Sequence, residues 1–134
     1  MNLGEVLHPG LTGSASLVVA AEHTAPHVGS GRIPVFATPM LLSLLEAAAL
    51  DAVEQRLPEG HHSLGTRVDM RHTAATPVGM RVRAEAELLA VDGRSLRFRV
   101  TAWDERELIG EGTHERVVVD AARFNRRIEE KAAR

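Results

Sequence analysis

Between Thr38 and Leu57 apolar side chains fall on most turns of a three- to four-residue step, with Leu41, Leu44, Leu45, Ala48 and Ala52 as the repeating set. That period predicts a helix buried in a core rather than one lying on a surface. Thr38 is the expected N-cap, and Pro39 suits the first helical position, where a missing N–H costs nothing. The helix is expected to stop before Pro58-Glu-Gly60. Upstream, residues 14–22 are rich in β-branched and small apolar side chains and predict a first strand. The segment His23 to Pro34 holds Pro26, Gly29, Gly31 and Pro34 and predicts a loop, with Gly29-Ser-Gly31 as a flexible lid over an entrance.

Beyond the helix the period changes from 3.6 to 2. In residues 63–73, Leu64, Thr66, Val68, Met70 and His72 alternate with Gly65, Arg67, Asp69 and Arg71. Met80, Val82, Ala84, Ala86 and Leu88 alternate with Arg81, Arg83, Glu85, Glu87 and Leu89. Asp92-Gly93 predicts a two-residue hairpin, after which Leu96, Phe98, Val100 and Ala102 face one side. A turn at residues 104–107 leads to a last strand from Leu108 to about Val119, and residues 121–132 predict a short charged helix whose apolar contacts are Phe124 and Ile128. The order is strand, long apolar helix, antiparallel meander. A helix that is apolar on most turns needs cover on more than one side, and one curved sheet wrapped around it supplies that within an α+β architecture. The whole chain, residues 1–134, is expected to form one domain. Exposed sheet edges predict pairing of two copies, a homodimer, with the order of oligomer beyond two left open.

Against this apolar background Glu46 stands out, because it is the sole ionisable side chain between Arg32 and Asp51. A carboxylate in such a run is desolvated, and a buried charge without a partner is costly. Such groups belong to ion pairs or to functional sites. His72 ends the second strand on its more apolar face, the face expected to meet the helix, and is the partner expected for Glu46. Taken singly, each residue also has an ordinary structural explanation: Thr38 as a helix cap, Glu46 as an acceptor for strand backbone, His72 as a satisfied core imidazole.

Composition removes several function classes. The 134 residues include no cysteine, which excludes disulfides, thiolate catalysis and Cys-based metal sites. The formal net charge is −2, and the chain has one Trp and no Tyr, against the basic surplus and exposed aromatics of a nucleic-acid binder. No apolar stretch is long enough to span a bilayer, and the start Met-Asn-Leu-Gly-Glu lacks the pattern of a secretory signal, so a cytoplasmic location is expected. His23 and His27 are four apart, but Pro26 argues against a helix that would align them as metal ligands. His61-His62 is expected to be solvated at a turn, and no metal is predicted. Gly29-Ser-Gly31 lacks the lysine and spacing of a phosphate loop. Arg81, Arg83, Arg97 and Arg99 are expected to form the solvated face of the sheet.

The runs Val28-Gly-Ser-Gly31 and Val35-Phe-Ala-Thr-Pro39, then Glu46, then Gly65-Thr-Arg-Val-Asp-Met-Arg-His72 together resemble the hotdog thioesterases of the fluoroacetyl-CoA thioesterase-like family. The likeness extends over roughly residues 10–120, and the intervals Thr38 to Glu46 and Glu46 to His72 agree with the family's. The resemblance implies a hotdog fold, an antiparallel sheet wrapped around one long central helix. It also implies hydrolysis of a small or medium acyl-CoA thioester to free acid and CoA. Thr38, Glu46 and His72 match the family's catalytic threonine, glutamate and histidine, and Gly65 matches a substrate-binding glycine near the acyl carbonyl. No cofactor is implied beyond the CoA of the substrate. The family's namesake closes its pocket with aromatic side chains, whereas His23 to Pro34 contains none here, so the acyl group is left open. So are a carrier-protein in place of a CoA thioester, and Glu46 as nucleophile or as general base. Two competing readings are a hotdog hydratase or dehydratase of enoyl thioesters, and a non-catalytic acyl-CoA or small-ligand-binding protein.

In a helix, eight residues rise about 12 Å. Thr38 therefore does not hydrogen-bond Glu46 within one helix: either the substrate or His72 lies between them, or one of the three comes from a second copy, and a site at a dimer interface is expected.

Overall fold

The computed structural model describes residues 2–133. Five antiparallel strands form one sheet: β1 (Thr12–Val18), β2 (His61–His72), β3 (Arg81–Asp92), β4 (Ser95–Trp103) and β5 (Leu108–Asp120), in the spatial order β1-β3-β4-β5-β2. Among the described residues the α-helices are α1 (Ala25–Val28), α2 (Thr38–Val53) and α3 (Ala121–Ala132), with short 3₁₀ turns at Leu3–Glu5, Ala21–His23 and Glu54–Arg56. The sheet wraps α2, and the core between them holds Leu41, Leu45, Phe98, Val100 and Ile109, each at most 1% exposed. This is the hotdog arrangement.

The approach of helix to sheet is set by small side chains. Gly13 in β1 lies against Ala48 and Ala52, and a Cβ there would overlap the backbone of both helical residues. Alanines on this face of α2 and a glycine opposite let the two backbones come close, so the apolar surface is buried without a gap.

Several local expectations shift. The first strand begins two residues earlier, at Thr12, and ends at Val18. Residue Ala37 takes the N-cap position of α2, without a side-chain cap, so Thr38 is the first helical residue. The α-helix ends at Val53, with a 3₁₀ turn over Glu54–Arg56 before Pro58. The β3–β4 hairpin turns on Gly93 and Arg94, because Asp92 pairs with Ser95. Gly93 has φ +60°, the left-handed value a type II′ turn needs at its first central residue. The segment predicted as a loop contains α1, with Pro26 accommodated in its first turn.

Nor is α2 covered on all sides. Thr38, Pro39, Ser43 and Asp51 are exposed, and Leu42, Glu46, Ala47 and Leu50 are half-buried. They form a stripe at helical spacing along the side of α2 that the sheet leaves open.

The alternation in β2 is also interrupted. Gly65 pairs with Arg116 while Arg67 pairs with Glu115, so Thr66 is an extra residue, a β-bulge. Before the bulge the inward positions are Ser63 and Gly65. After it they are Val68, Met70 and His72. Leu64, expected on the inner face, is 38% exposed. A bulge shifts the two-residue period by one, so Gly65 and His72 share the helix-facing side although their sequence spacing is odd.

Candidate active site

The segment entering α2 is pinned on both sides. The Phe36 N–H donates to the Thr76 carbonyl at 2.9 Å, the Ala37 N–H to the His23 carbonyl at 2.9 Å, and the Ala25 N–H to the Val35 carbonyl at 3.0 Å. These bonds deliver Thr38 to the first helical turn with its hydroxyl free of capping duty. Thr38 Oγ1 and His72 Nδ1 share a hydrogen bond of 2.7 Å. Phe36, 1% exposed, stands edge-on to the His72 ring with centroids 6.4 Å apart. Opposite His72 on β5 is Gly110.

With its Nδ1 committed to Thr38, His72 keeps Nε2 shielded from solvent and without a hydrogen-bond partner among the described residues. Burial holds the imidazole below its ordinary pKa, opposed by the backbone of Ala74. The ring is therefore neutral near pH 7 and has one nitrogen in use and one in reserve. Thr38, His72, Phe36, Val35, Ala25 and Ser30 line a cleft of about 290 Å³ at the N-terminus of α2.

Glu46 lies two turns further along. Contrary to the sequence expectation, its charged partner is not His72 but Arg116 of β5, whose Nη1 donates to Glu46 Oε2 at 3.2 Å. The physical reason is reach: His72 sits at the start of α2, held by Thr38, while Gly65 lies beside Glu46. A Cβ on Gly65 would collide with Glu46 Oε2, so the carboxylate occupies the space that the glycine leaves open. The side chain of Glu46 is 35% exposed and that of Arg116 5%.

Arg116 is fully engaged. Its Nε donates to Ser63 Oγ at 2.8 Å, and its Nη2 donates to the Ser63 carbonyl at 3.0 Å. Ser63 Oγ in turn donates to Glu54 Oε2 at 2.9 Å. His114, fully buried and stacked on Phe98, completes the cluster. Its Nδ1 donates to the Arg67 carbonyl at 2.7 Å, since a carbonyl can only accept. Nε2 is then the acceptor of a 3.1 Å bond from Arg116 Nη1. Burial first, and the Arg116 charge with it, lower the His114 pKa against the raising effects of the Arg67 carbonyl, Glu46 and Glu115. The imidazole is neutral, so its 3.9 Å approach to Glu46 Oε2 is a contact and not an ion pair.

The structure thus brings Thr38 to His72 and Gly65 to Glu46, and in one chain leaves these two pairs apart. Arg116 and His114 escaped the sequence reading. Their signal was parity: both alternate in step with Val118, so they share its buried face. A buried arginine is the natural counterpart of an unpaired glutamate.

Nδ1 of His23 accepts the Ala20 N–H at 2.9 Å, and the exposed His62 lies 2.9 Å from Glu54 Oε1. Among the described residues no cluster of three or more His, Asp or Glu is placed to hold a metal, and no helix is long and apolar enough to cross a membrane. Arg83 and Arg99 are exposed and lie 3.5 and 3.8 Å from Glu85 and Glu87.

A family model described as FlK, fluoroacetyl-CoA-specific thioesterase, matches residues 19–122. The chain is 45% identical over 97 residues to a fluoroacetyl-CoA thioesterase of Streptantibioticus cattleyicolor, covering 72% of this chain and 70% of that protein. A crystal structure of the fluoroacetyl-CoA thioesterase FlK superimposes with a TM-score of 0.88 at 37% identity, over 93% of this chain and 97% of that one. A hot-dog-like protein from Thermanaerovibrio acidaminovorans gives a TM-score of 0.89 at 22% identity, over 98% and 97% of the two chains, a likeness of fold alone.

Proposed function

The chain belongs to the fluoroacetyl-CoA-specific thioesterase family and is a thioester hydrolase, and from that premise we propose that it cleaves small or medium acyl-CoA thioesters with Thr38, Glu46 and His72. The observation that carries the residue assignment is the bond between Thr38 and His72 at the mouth of the cleft, with the second imidazole nitrogen unclaimed.

Hydrolysis adds water across the C–S bond: oxygen bonds to the acyl carbon, the C–S bond breaks, and sulfur leaves as a thiolate that takes a proton. A neutral imidazole suits both proton steps. With Nδ1–H donating to Thr38, Nε2 takes a proton from the attacking water, and the imidazolium so formed returns that proton to the departing sulfur. The N-terminus of α2 beside the cleft presents positive partial charge to the carbonyl oxygen as it gains negative charge. Glu46 supplies the anion that takes a proton from the attacking water, or that itself attacks the carbonyl carbon, expelling the thiolate and forming an acyl anhydride that water then hydrolyses to free acid and carboxylate. No cofactor is required by this chemistry beyond the CoA carried by the substrate.

Thr38 and His72 are separated from Glu46 in one chain by two helical turns, so a complete site joins Thr38 and His72 of one copy to Glu46 of another. The open stripe of α2, with half-buried Leu42, Ala47 and Leu50 around Glu46, is the surface a second copy would cover. The protein is on this reading a homodimer. Its cleft is lined by small apolar groups, the Phe36 ring and the polar side chains of Ser30, Thr38, His72 and Thr73.

A panel of acyl-CoA substrates with optical detection of released thiol tests the assignment. Glu46→Gln and His72→Ala, folded as the parent, are each expected to lose on the order of 10²- to 10⁴-fold in kcat. Parental turnover in either variant removes that residue from the mechanism. Tight acyl-CoA binding without thiol release by the parent, or water addition to a crotonyl thioester, would point to a binding protein or a hydratase.

A further inference from the structure

We propose that Thr76 is a positioning residue for the Thr38–His72 pair, held in place by the carboxylate of Asp104. The inference rests on the reading of Thr38 and His72 as a reacting pair. The two side chains belong to different segments. His72 ends β2 and leads into residues 73–77, whereas Thr38 follows residues 35–37 at the start of α2. A 2.7 Å bond between them keeps its geometry only if the two backbones are fixed to one another.

Thr76 is where they are joined. Its carbonyl accepts the Phe36 N–H at 2.9 Å, and the next residue, Pro77, bridges Val35. At the other end of the segment the Thr73 N–H donates to the Ile109 carbonyl of β5 at 2.7 Å. Between these fixed points Thr73, Ala74 and Ala75 line the cleft. A shift of Thr76 moves Phe36, whose ring stands edge-on to His72, and carries Thr38 with it.

Thr76 is fully buried, and a buried hydroxyl needs a partner. Its Oγ1 donates to Asp104 Oδ2 at 2.9 Å. Asp104 opens the turn between β4 and β5, and that turn is satisfied without this oxygen. Oδ1 alone accepts the Arg106 N–H at 2.8 Å and the Glu107 N–H at 3.0 Å, while the Asp104 N–H donates to the Glu107 carbonyl at 2.9 Å. Oδ2 is left to hold Thr76. Burial raises the Asp104 pKa, but these N–H groups, the Thr76 hydroxyl and the Arg106 charge outweigh it and hold the carboxyl below its ordinary value. The acceptor is a carboxylate at neutral pH, and the bond to it is charge-assisted. Neither Thr76 nor Asp104 lines the cleft, so their effect reaches the reaction through Phe36 and Thr38.

Thiol-release kinetics on variants of the full chain provide the test, with thermal melting of each as the check on folding. Thr76→Val, similar in shape but without the hydroxyl, is expected to lower kcat by about 10- to 100-fold with little change in KM. Thr76→Ser, which keeps the hydroxyl, is expected to recover most of that loss. On a Thr38→Ala background Thr76→Val is expected to cost nothing further, because the bond that it orients is already gone. Should Thr76→Val fail to fold, Asp104→Asn decides in its place. Its Oδ1 still closes the turn, the acceptor of the Thr76 proton is lost, and kcat is expected to fall several-fold at parental KM.

Parental kcat in Thr76→Val, or in Asp104→Asn when it decides, overturns the proposal while leaving Thr38 and His72 in the mechanism if Thr38→Ala and His72→Ala are impaired. Losses that simply add on the Thr38→Ala background overturn it as well, since Thr76 would then act by another route. A Thr76→Ser variant no faster than Thr76→Val does the same, because the hydroxyl would not be the group that matters. Full activity of Thr38→Ala and His72→Ala overturns the role of that pair itself, and the positioning claim with it.

Discussion

Thr38 Oγ1 and His72 Nδ1, 34 residues apart in the chain, lie 2.7 Å from each other at the first turn of the central helix. The threonine is free to make this bond because Ala37, not Thr38, is the N-cap of α2. Thr38→Ala is therefore expected to leave stability within about 0.5 kcal/mol of the parent, whereas loss of a true cap costs about 1 kcal/mol. Turnover should fall by about 10- to 100-fold as the imidazole loses its orientation. Thr38→Ser should keep most of the rate. Denaturant melts and thiol-release kinetics on the two variants separate the roles.

Gly65 touches Glu46 where a side chain would begin. The atom in the way is the far end of a flexible carboxylate, so Gly65→Ala should still fold, at the stability cost of parting Glu46 from the buried Arg116 charge. Its carboxylate must rotate off Arg116, and kcat should fall at least ten-fold, on the scale of a 1 Å displacement. An unchanged kcat would mean that the seat at Gly65 is not used in turnover.

The packing of Gly13 against Ala48 and Ala52 gives a different result. Here a Cβ would meet helix backbone, which cannot rotate away. Gly13→Ala should destabilise by about 1–3 kcal/mol, the ordinary cost of overpacking, with residual folded enzyme still active. A denaturant midpoint equal to the parent's would show that the helix has room to shift.

Burial lowers the pKa of both His72 and His114 in the folded chain. Near an ordinary imidazole pKa of about 6.5 the unfolded chain binds more protons at these sites than the folded one, so stability rises with pH there. Their contribution is present in full above about pH 6.5 and is lost as pH falls from there through the lowered values. Unfolding free energies measured between pH 8 and 5 should decline over that acid interval. The acid limb of kcat should likewise lie below the ordinary imidazole range, because His72 works as the neutral ring. A stability that rose on acidification would contradict the burial of these two rings.

Complementation tests the shared site. Mixing a Thr38→Ala chain with a Glu46→Gln chain, after unfolding and refolding together, makes heterodimers in which one of two sites is wholly parental. With half of the dimers mixed, activity should approach about a quarter of the parent's. No recovery would place all three residues within single chains.

Much of the scaffold was legible because it is written in local periods. The inward set Val82, Ala84, Ala86 and Leu88 of β3 and the set Leu96, Phe98, Val100 and Ala102 of β4 follow directly from alternation, and all are buried. The final helix occupies Ala121–Ala132 as its charge pattern suggested, but Ile128, expected as one of its two apolar contacts, is 49% exposed. These features depend on neighbours within a few residues, and the same is true of the run that makes α2. The motif order that marks the family lies in the chain as well.

The pairing of chemical groups was settled elsewhere. Alternation alone put Gly65 and His72 on opposite faces of β2, and only the register against β5 inserts Thr66 as the extra residue that reunites them. The counter-charge of Glu46 comes from a position 70 residues away, chosen by which strand lies beside β2 and not by any nearby pattern. A sequence can require that a carboxylate set in an apolar run find a partner, since a charge drawn away from water without one is costly. Which side chain answers depends on where bulges and strand order bring distant backbone together, and that is a property of the folded sheet.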